Sequence, residues 1–374
     1  MNKNFVLFFI SCILFQNCTR DTQDAQTDYM TISVDDISTI EMNLSELVKD
    51  HTFVELDRNT EALLNYPNQF AISEDFILIT DYMNHPAKLF RSDGSFVNNL
   101  GTIGEGPGEY FTVISPYIDT LNNEFWLMRG GNFSHPKDYW ILVMDMEGNV
   151  IREIDANSLK GNDRISNPVL INKEGLFLPG SIGSDVLLSY LPQESQEVVR
   201  VPSKIPQDYF FYSAGSESYP RDDGYIFKVG ESDTVYRFEP DQKKVYTELV
   251  IYTSKHKFNA DAIRKARSIT GPDRLKNIMS AAEGGYSIDL GGETSEYYIF
   301  FLTVHGSSIK KKLLLVNKKN QSANFVNLRN DFSKGQIVDP ETIRFYNNKY
   351  LILHLLQELQ DDQIDLLHIG RLKN

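Results

Sequence analysis

The residues with the richest chemistry are thinly spread along the chain. Seven histidines (His51, His85, His135, His256, His305, His354 and His368) stand far apart, and none forms the His-x-His or His-Glu-x-x-His pair that ligates zinc from a single element. A metal site would have to be gathered from distant segments. His305 and His354 are the best placed for that, and the reading leaves room for calcium or zinc. A lone strand histidine more often packs and hydrogen-bonds. Asp81, Arg129 and Glu231 offer two carboxylates and a guanidinium that would suit calcium or acid–base work, but no Asp-x-Asp-x-Asp-Gly loop is present and no spacing marks a catalytic pair. Their bland alternative is a set of solvated loop ends. Nucleophilic hydrolysis is disfavoured, since there is no Gly-x-Ser-x-Gly elbow and both cysteines, Cys12 and Cys18, lie near the start of the chain. No catalytic residue and no cofactor is predicted.

The elements that must position these groups recur along the chain. A strand, a polar turn and a second strand repeat six times, the second strand opening near Phe76, Phe125, Leu176, Tyr225, Tyr298 and Tyr350. The spacing is about 50 residues, as in a four-stranded propeller blade, except for a longer gap between Tyr225 and Tyr298. A second, outer hairpin turns at Asp93-Gly94, Glu147-Gly148, Pro192-Gln193, Pro240-Asp241 and Lys319-Asn320, giving five outer hairpins for six inner ones. The last unit therefore needs a strand from the N-terminal side. The donors are Met30 to Val34 or His51 to Leu56, the first or both joining the last unit. Asp81, Arg129 and Glu231 fall at or just past the ends of second strands, where loops converge on one mouth. With His305 and His354 they form a candidate pocket.

The long gap holds a helical pattern at about residues 257–283. Asn259 can cap a first helix bearing Ile263, Ala266 and Ile269, and Gly271-Pro272 breaks it before a second with Leu275, Ile278, Met279 and Ala282 on one side. It reads equally as a lid over a channel or as a structural insertion. Lys310 to Lys312 reads as a solvated strand entry. Trp126 and Trp140 could form a sugar-stacking platform but favour packing.

Gly101 to Tyr110, GTIGEGPGEY, cannot be helix or regular strand. Pro107 removes an amide that a phosphate cradle would use, and no Gly-Lys-Ser/Thr follows, so it reads as a structural turn. From Gly104 to Tyr110 it resembles the Gly-x-Gly-Pro-Gly-Glu-Tyr run that ends the first blade in the six-bladed β-propeller lipoproteins of Bacteroidetes. Glu231 to Phe238, ESDTVYRF, is similar to that family's recurrent fourth-blade packing element. The resemblance implies an all-β, six-bladed β-propeller over residues 30–374, with an N-terminal strand closing the last blade and a helical insertion between blades four and five. It also implies attachment to the cell envelope, without supplying a mechanism.

Phe5 to Phe15 reads as the apolar core of a signal peptide, too short for a bilayer span of roughly 20 residues. Residues 1–17 would be removed and Cys18 lipidated, although Asn17 replaces the usual small residue before it. Residues 18–29 then form a polar tether. The predicted location is the envelope, as an outer-membrane lipoprotein held by its N-terminal lipid. A net charge of −14 argues against nucleic acid as a partner. The expected role is a non-catalytic binding or scaffold module for a peptide, glycan or protein partner. The alternative is a metal-dependent propeller hydrolase or lyase with its site in the central channel.

Overall fold

The computed structural model describes residues 29–81, 85–129, 139–160, 169–180, 184–195, 197–205, 216–230, 232–257, 259–306, 310–359 and 362–374. The fold is an all-β, six-bladed propeller. Blades one to five are each built on a four-stranded antiparallel meander in sequence order, the first running Pro67–Ile72, Phe76–Asp81, Ala87–Arg91 and Phe96–Leu100. Second strands are apolar on both faces, Phe76–Asp81 and Gly224–Lys228 being buried throughout, because each blade is sandwiched between two neighbours. Outer strands such as Val150–Asp155 meet solvent and carry charge.

Six apolar cores lie between successive blades. Leu78, Leu89 and Phe125 pack in the first interface, and Met128, Ile141 and Ile171 in the second. Phe177 stacks on Tyr225 at 4.6 Å in the third. Ile226, Leu249 and Phe300 fill the fourth, Ile299, Phe301 and Leu351 the fifth, and Ile77, Phe90 and Ile352 link the sixth blade to the first.

In blade six, Ile343–Tyr346, Tyr350–Leu359 and Asp362–Leu372 are followed in space by Val48–Glu55, antiparallel with Phe53 opposite His368. Met30–Ser33 departs from the expectation that it joins this blade. It runs parallel to Lys244–Tyr252 as a fifth strand of blade four, and Thr39–Asn43 does the same beside Ala323–Asn330 of blade five. The reason is apolar matching: Ile32 and Val34 complete the core between blades four and five, and Met42, Leu44 and Leu47 that between five and six. Asp35 pins the first of these additions, accepting hydrogen bonds from Thr253 Oγ1 at 2.6 Å and from the Ser254 amide at 2.7 Å.

The glycine run bolts blade one to blade two. Thr102–Ile103 pairs in parallel with Glu109–Tyr110. Tyr110 is 1% exposed, accepts a hydrogen bond from the Ala87 amide at 2.9 Å, and donates to the Leu100 carbonyl. A Cβ on Gly101, at φ +76°, would meet the Tyr110 ring at 2.7 Å, which is why a side chain is excluded there.

Between blades four and five the helices Ala260–Ser268 and Arg274–Ala281 leave the sheet. Asn259 caps the first, its side chain accepting from the Ala262 amide at 3.0 Å. Ile263 and Ala266 are buried, whereas Ile269 and Met279 are exposed. No helix among the described residues is long and apolar enough to cross a membrane.

Candidate functional site at the loop end of blades four and five

The second strands of the blades end on one side of the ring, the loop end, where the first strands begin. The short hairpin turns meet at the other. At the loop end the inner strands of blades four (Glu217–Arg221) and five (Tyr286–Glu293) bring charges together. Side chains alternate along a strand, so Glu217 shares the face of Tyr219, whose hydroxyl reaches the Leu290 carbonyl of blade five at 3.3 Å. Lys228 lies opposite Glu217 in register and its ammonium is held by the Gly230 carbonyl. Ser287 and Asp289 alternate with the core residues Ile288 and Leu290, and Ser287 Oγ lies 2.9 Å from His305 Nε2.

Burial dominates the electrostatics of this group. It raises the Glu217 carboxyl well above the ordinary carboxylate range, the charge of Asp289 adds to the rise, and Lys228 opposes it. Burial raises Asp289 too, against Lys228, Lys311 and His305. The same desolvation lowers Lys311 and His305. Each carboxyl therefore resists ionisation, and the charge of Asp289 opposes that of Glu217. Glu217 Oε2 is fully covered and has no hydrogen-bond partner among the described residues.

The Ser287–His305 distance is that of an activated nucleophile. Ser287, however, is 2% exposed within its strand, so an acyl carbon has no approach to its Oγ. The cluster can bind polar groups and exchange protons with them. Among the described residues no three His, Cys, Asp or Glu side chains are grouped to hold a metal ion.

The residues singled out in the sequence are distributed otherwise. Asp81 is 1% exposed and its two oxygens accept the Asn65 and Tyr66 amides at 2.7 and 2.5 Å, shaping the entry to blade one. Arg129 Nη1 donates to the Glu109 carbonyl at 3.3 Å and so braces the glycine run. His354 Nε2 lies 2.8 Å from Asp365 Oδ1 on the neighbouring strand of its own blade. His305 belongs to the cluster, and its backbone exchanges hydrogen bonds with Gly284 and Gly285 at the return of the helical insertion. Glu231 and Cys18 lie outside the described residues.

Sequence reading missed Glu217, Asp289 and Lys228. For the two carboxylates the available signal was a charge on a first strand, the strand that lines a propeller channel. Lys311, read as part of a solvated strand entry, instead packs its ammonium 3.9 Å from the Phe301 ring centroid. Trp126 is a packing residue, 4% exposed, with Arg152 over its ring at 5.1 Å and Glu124 accepting from its Nε1.

Over residues 30–370 the sequence matches the family described as a domain of unknown function, DUF4934. The chain belongs to that family. A solved structure of a presumptive exported protein from Bacteroides fragilis is similar at 14% identity and a TM-score of 0.61, with 92% of this chain and 100% of that one aligned. This likeness speaks to the fold alone. More distant are the extracellular domain of a presumptive hybrid two-component system from B. thetaiotaomicron (12% identity, TM-score 0.39, 81% of this chain and 34% of that one) and the β-propeller domain of the trilobed protease from Pyrococcus furiosus (12%, 0.37, 83% of each). No curated protein matches the sequence.

Proposed function

We propose that this chain is an exported, non-catalytic binding module of the cell envelope, held at the outer membrane by a lipid on Cys18. Its loop end engages a peptide, glycan or protein partner. The observation that carries the reading is the Glu217–Asp289 pair in the channel wall, flanked by Lys228, Lys311 and His305 and joined through His305 to the helical insertion. Burial makes both carboxyls costly to ionise, and a cationic or donor group brought to the channel end offsets part of that cost through its charge. The signal-like N-terminus supports export.

The test is capture from solubilised envelopes by the wild-type chain and by a Glu217→Gln, Asp289→Asn double variant that melts no lower than the wild type. A partner held by the first and lost by the second supports the reading. The same partners in both would refute use of the channel end. A metal-dependent hydrolase or lyase is the second reading, favoured by the raised carboxyl pair. Calcium or zinc at one equivalent in the purified protein would move the assignment there.

A further inference from the structure

At the opposite end of the ring, where the hairpin turns lie, a cleft of about 390 Å³ opens between blades four and five. Its size falls in the range of small-ligand sites, roughly 300–1,000 Å³. The walls are Arg237, Tyr246, Thr247 and Glu248 of blade four, Tyr298 and Gln321 of blade five, and Met30 of the added N-terminal strand.

The charges of these walls are already matched. Glu248 takes Arg221 at 3.1 Å and the Tyr298 hydroxyl at 2.5 Å. Arg237 is shared between Glu239 at 3.1 Å and Asp223 at 3.4 Å. Glu293 holds Arg221 at 3.1 Å and Lys318 at 2.7 Å. A charged ligand entering here would shed hydration and find no unmatched countercharge, which is a net cost.

A neutral ligand avoids that cost and finds both kinds of hydrogen-bonding group. Carboxylate and phenol oxygens accept, the phenol hydrogens being already given to Glu248 and Gln242, guanidinium hydrogens donate, and the exposed Gln321 amide at the rim does both. Hydroxyl groups match such a mixture because each both donates and accepts. Met30 and the two tyrosine rings add apolar wall for a C–H face. Cations sit against those rings, Arg237 and Lys244 each at 5.1 Å from Tyr246 and Lys318 at 4.7 Å from Tyr298, which keeps them fixed as walls.

We infer that this cleft is a second ligand site, independent of the loop end, that takes a neutral, hydroxyl-rich compound of the size of one or two sugar units. Binding is weak and specific, with a dissociation constant of about 1 mM, as suits an open polar site.

The test uses the full-length protein in a detergent free of sugar, titrated calorimetrically with methyl glucoside, galactose and N-acetylglucosamine, and in parallel with glucuronate and glucosamine. Saturable binding of at least one neutral sugar is expected, weaker by roughly tenfold in Gln321→Asn, which withdraws the amide by one methylene while keeping a residue suited to its φ of +59°. Thr247→Trp, which fills the cleft, should abolish binding. Should the tryptophan variant fail to fold, the exposed Gln321 variant still decides. No saturable binding of any neutral sugar, tighter binding of the charged sugars, or wild-type affinity in the variants would each overturn the inference.

Discussion

Acidification should loosen the ring at its closing strand through His368. This residue is 1% exposed and stacks on Phe53 of the closing strand at 4.1 Å, with the His51 ring edge-on at 5.3 Å. Its Nδ1 bonds with Asn330 Nδ2 at 3.1 Å, and Phe332 stacks on His51 from blade five. Burial, aided by the charge of His51 and opposed by Asp331, holds the His368 imidazole down to about 4 from the ordinary 6.5. The unfolded chain therefore takes up a proton that the folded one refuses. Stability from this group is complete above the unfolded value and is lost as pH falls from 6.5 towards 4.

Between pH 7 and pH 5 the full shift corresponds to about 2 kcal/mol, and solvent screening at the ring's outer edge reduces this to about 1 kcal/mol. Urea unfolding at the two pH values, on wild type and on His368→Gln, measures it as the difference between the two proteins, which cancels every other titrating group. The wild type should lose about 1 kcal/mol more than the variant. Equal losses, or an NMR titration placing His368 near 6.5, would refute the reasoning.

Glu217→Gln should stabilise the fold much more at pH 8 than at pH 5. A raised carboxyl costs stability as pH climbs from its unfolded value through its folded one, which thermal melts at both pH values will register. Tyr110→Phe should cost about 1–3 kcal/mol in urea unfolding, because it strands the buried Leu100 carbonyl and Ala87 amide. Gly101→Ala should cost at least as much, about 2–3 kcal/mol, from positive φ and overlap with Tyr110 and Met144 together. Cys18→Ala should abolish incorporation of an alkyne fatty acid, and equal labelling in both proteins would rule out lipidation there.

The six repeats were legible because a strand, its turn and its partner are neighbours in the chain. The second strands open at Phe76, Glu124, Gly175, Gly224, Tyr297 and Tyr350, within one residue of their reading from turn chemistry and alternation. The glycine run was legible for the same reason: Gly101 and the Tyr110 it faces are nine positions apart. Where partners are remote, that advantage disappears. Met30–Ser33 has the composition of a strand for any outer edge, and only the apolar gap between blades four and five selects its place.

The candidate site shows the same division. Local pattern dictated an all-β chain of six hairpin units with a helical interruption, since backbone turns and side-chain alternation are set by near neighbours. Tertiary structure alone decided that Glu217 would face Asp289 across two blades, that Lys311 would leave solvent for their company, and that Asp81 and His354 would be spent within their own blades. Charge energetics depend on distance and desolvation, and both are created only when the ring assembles.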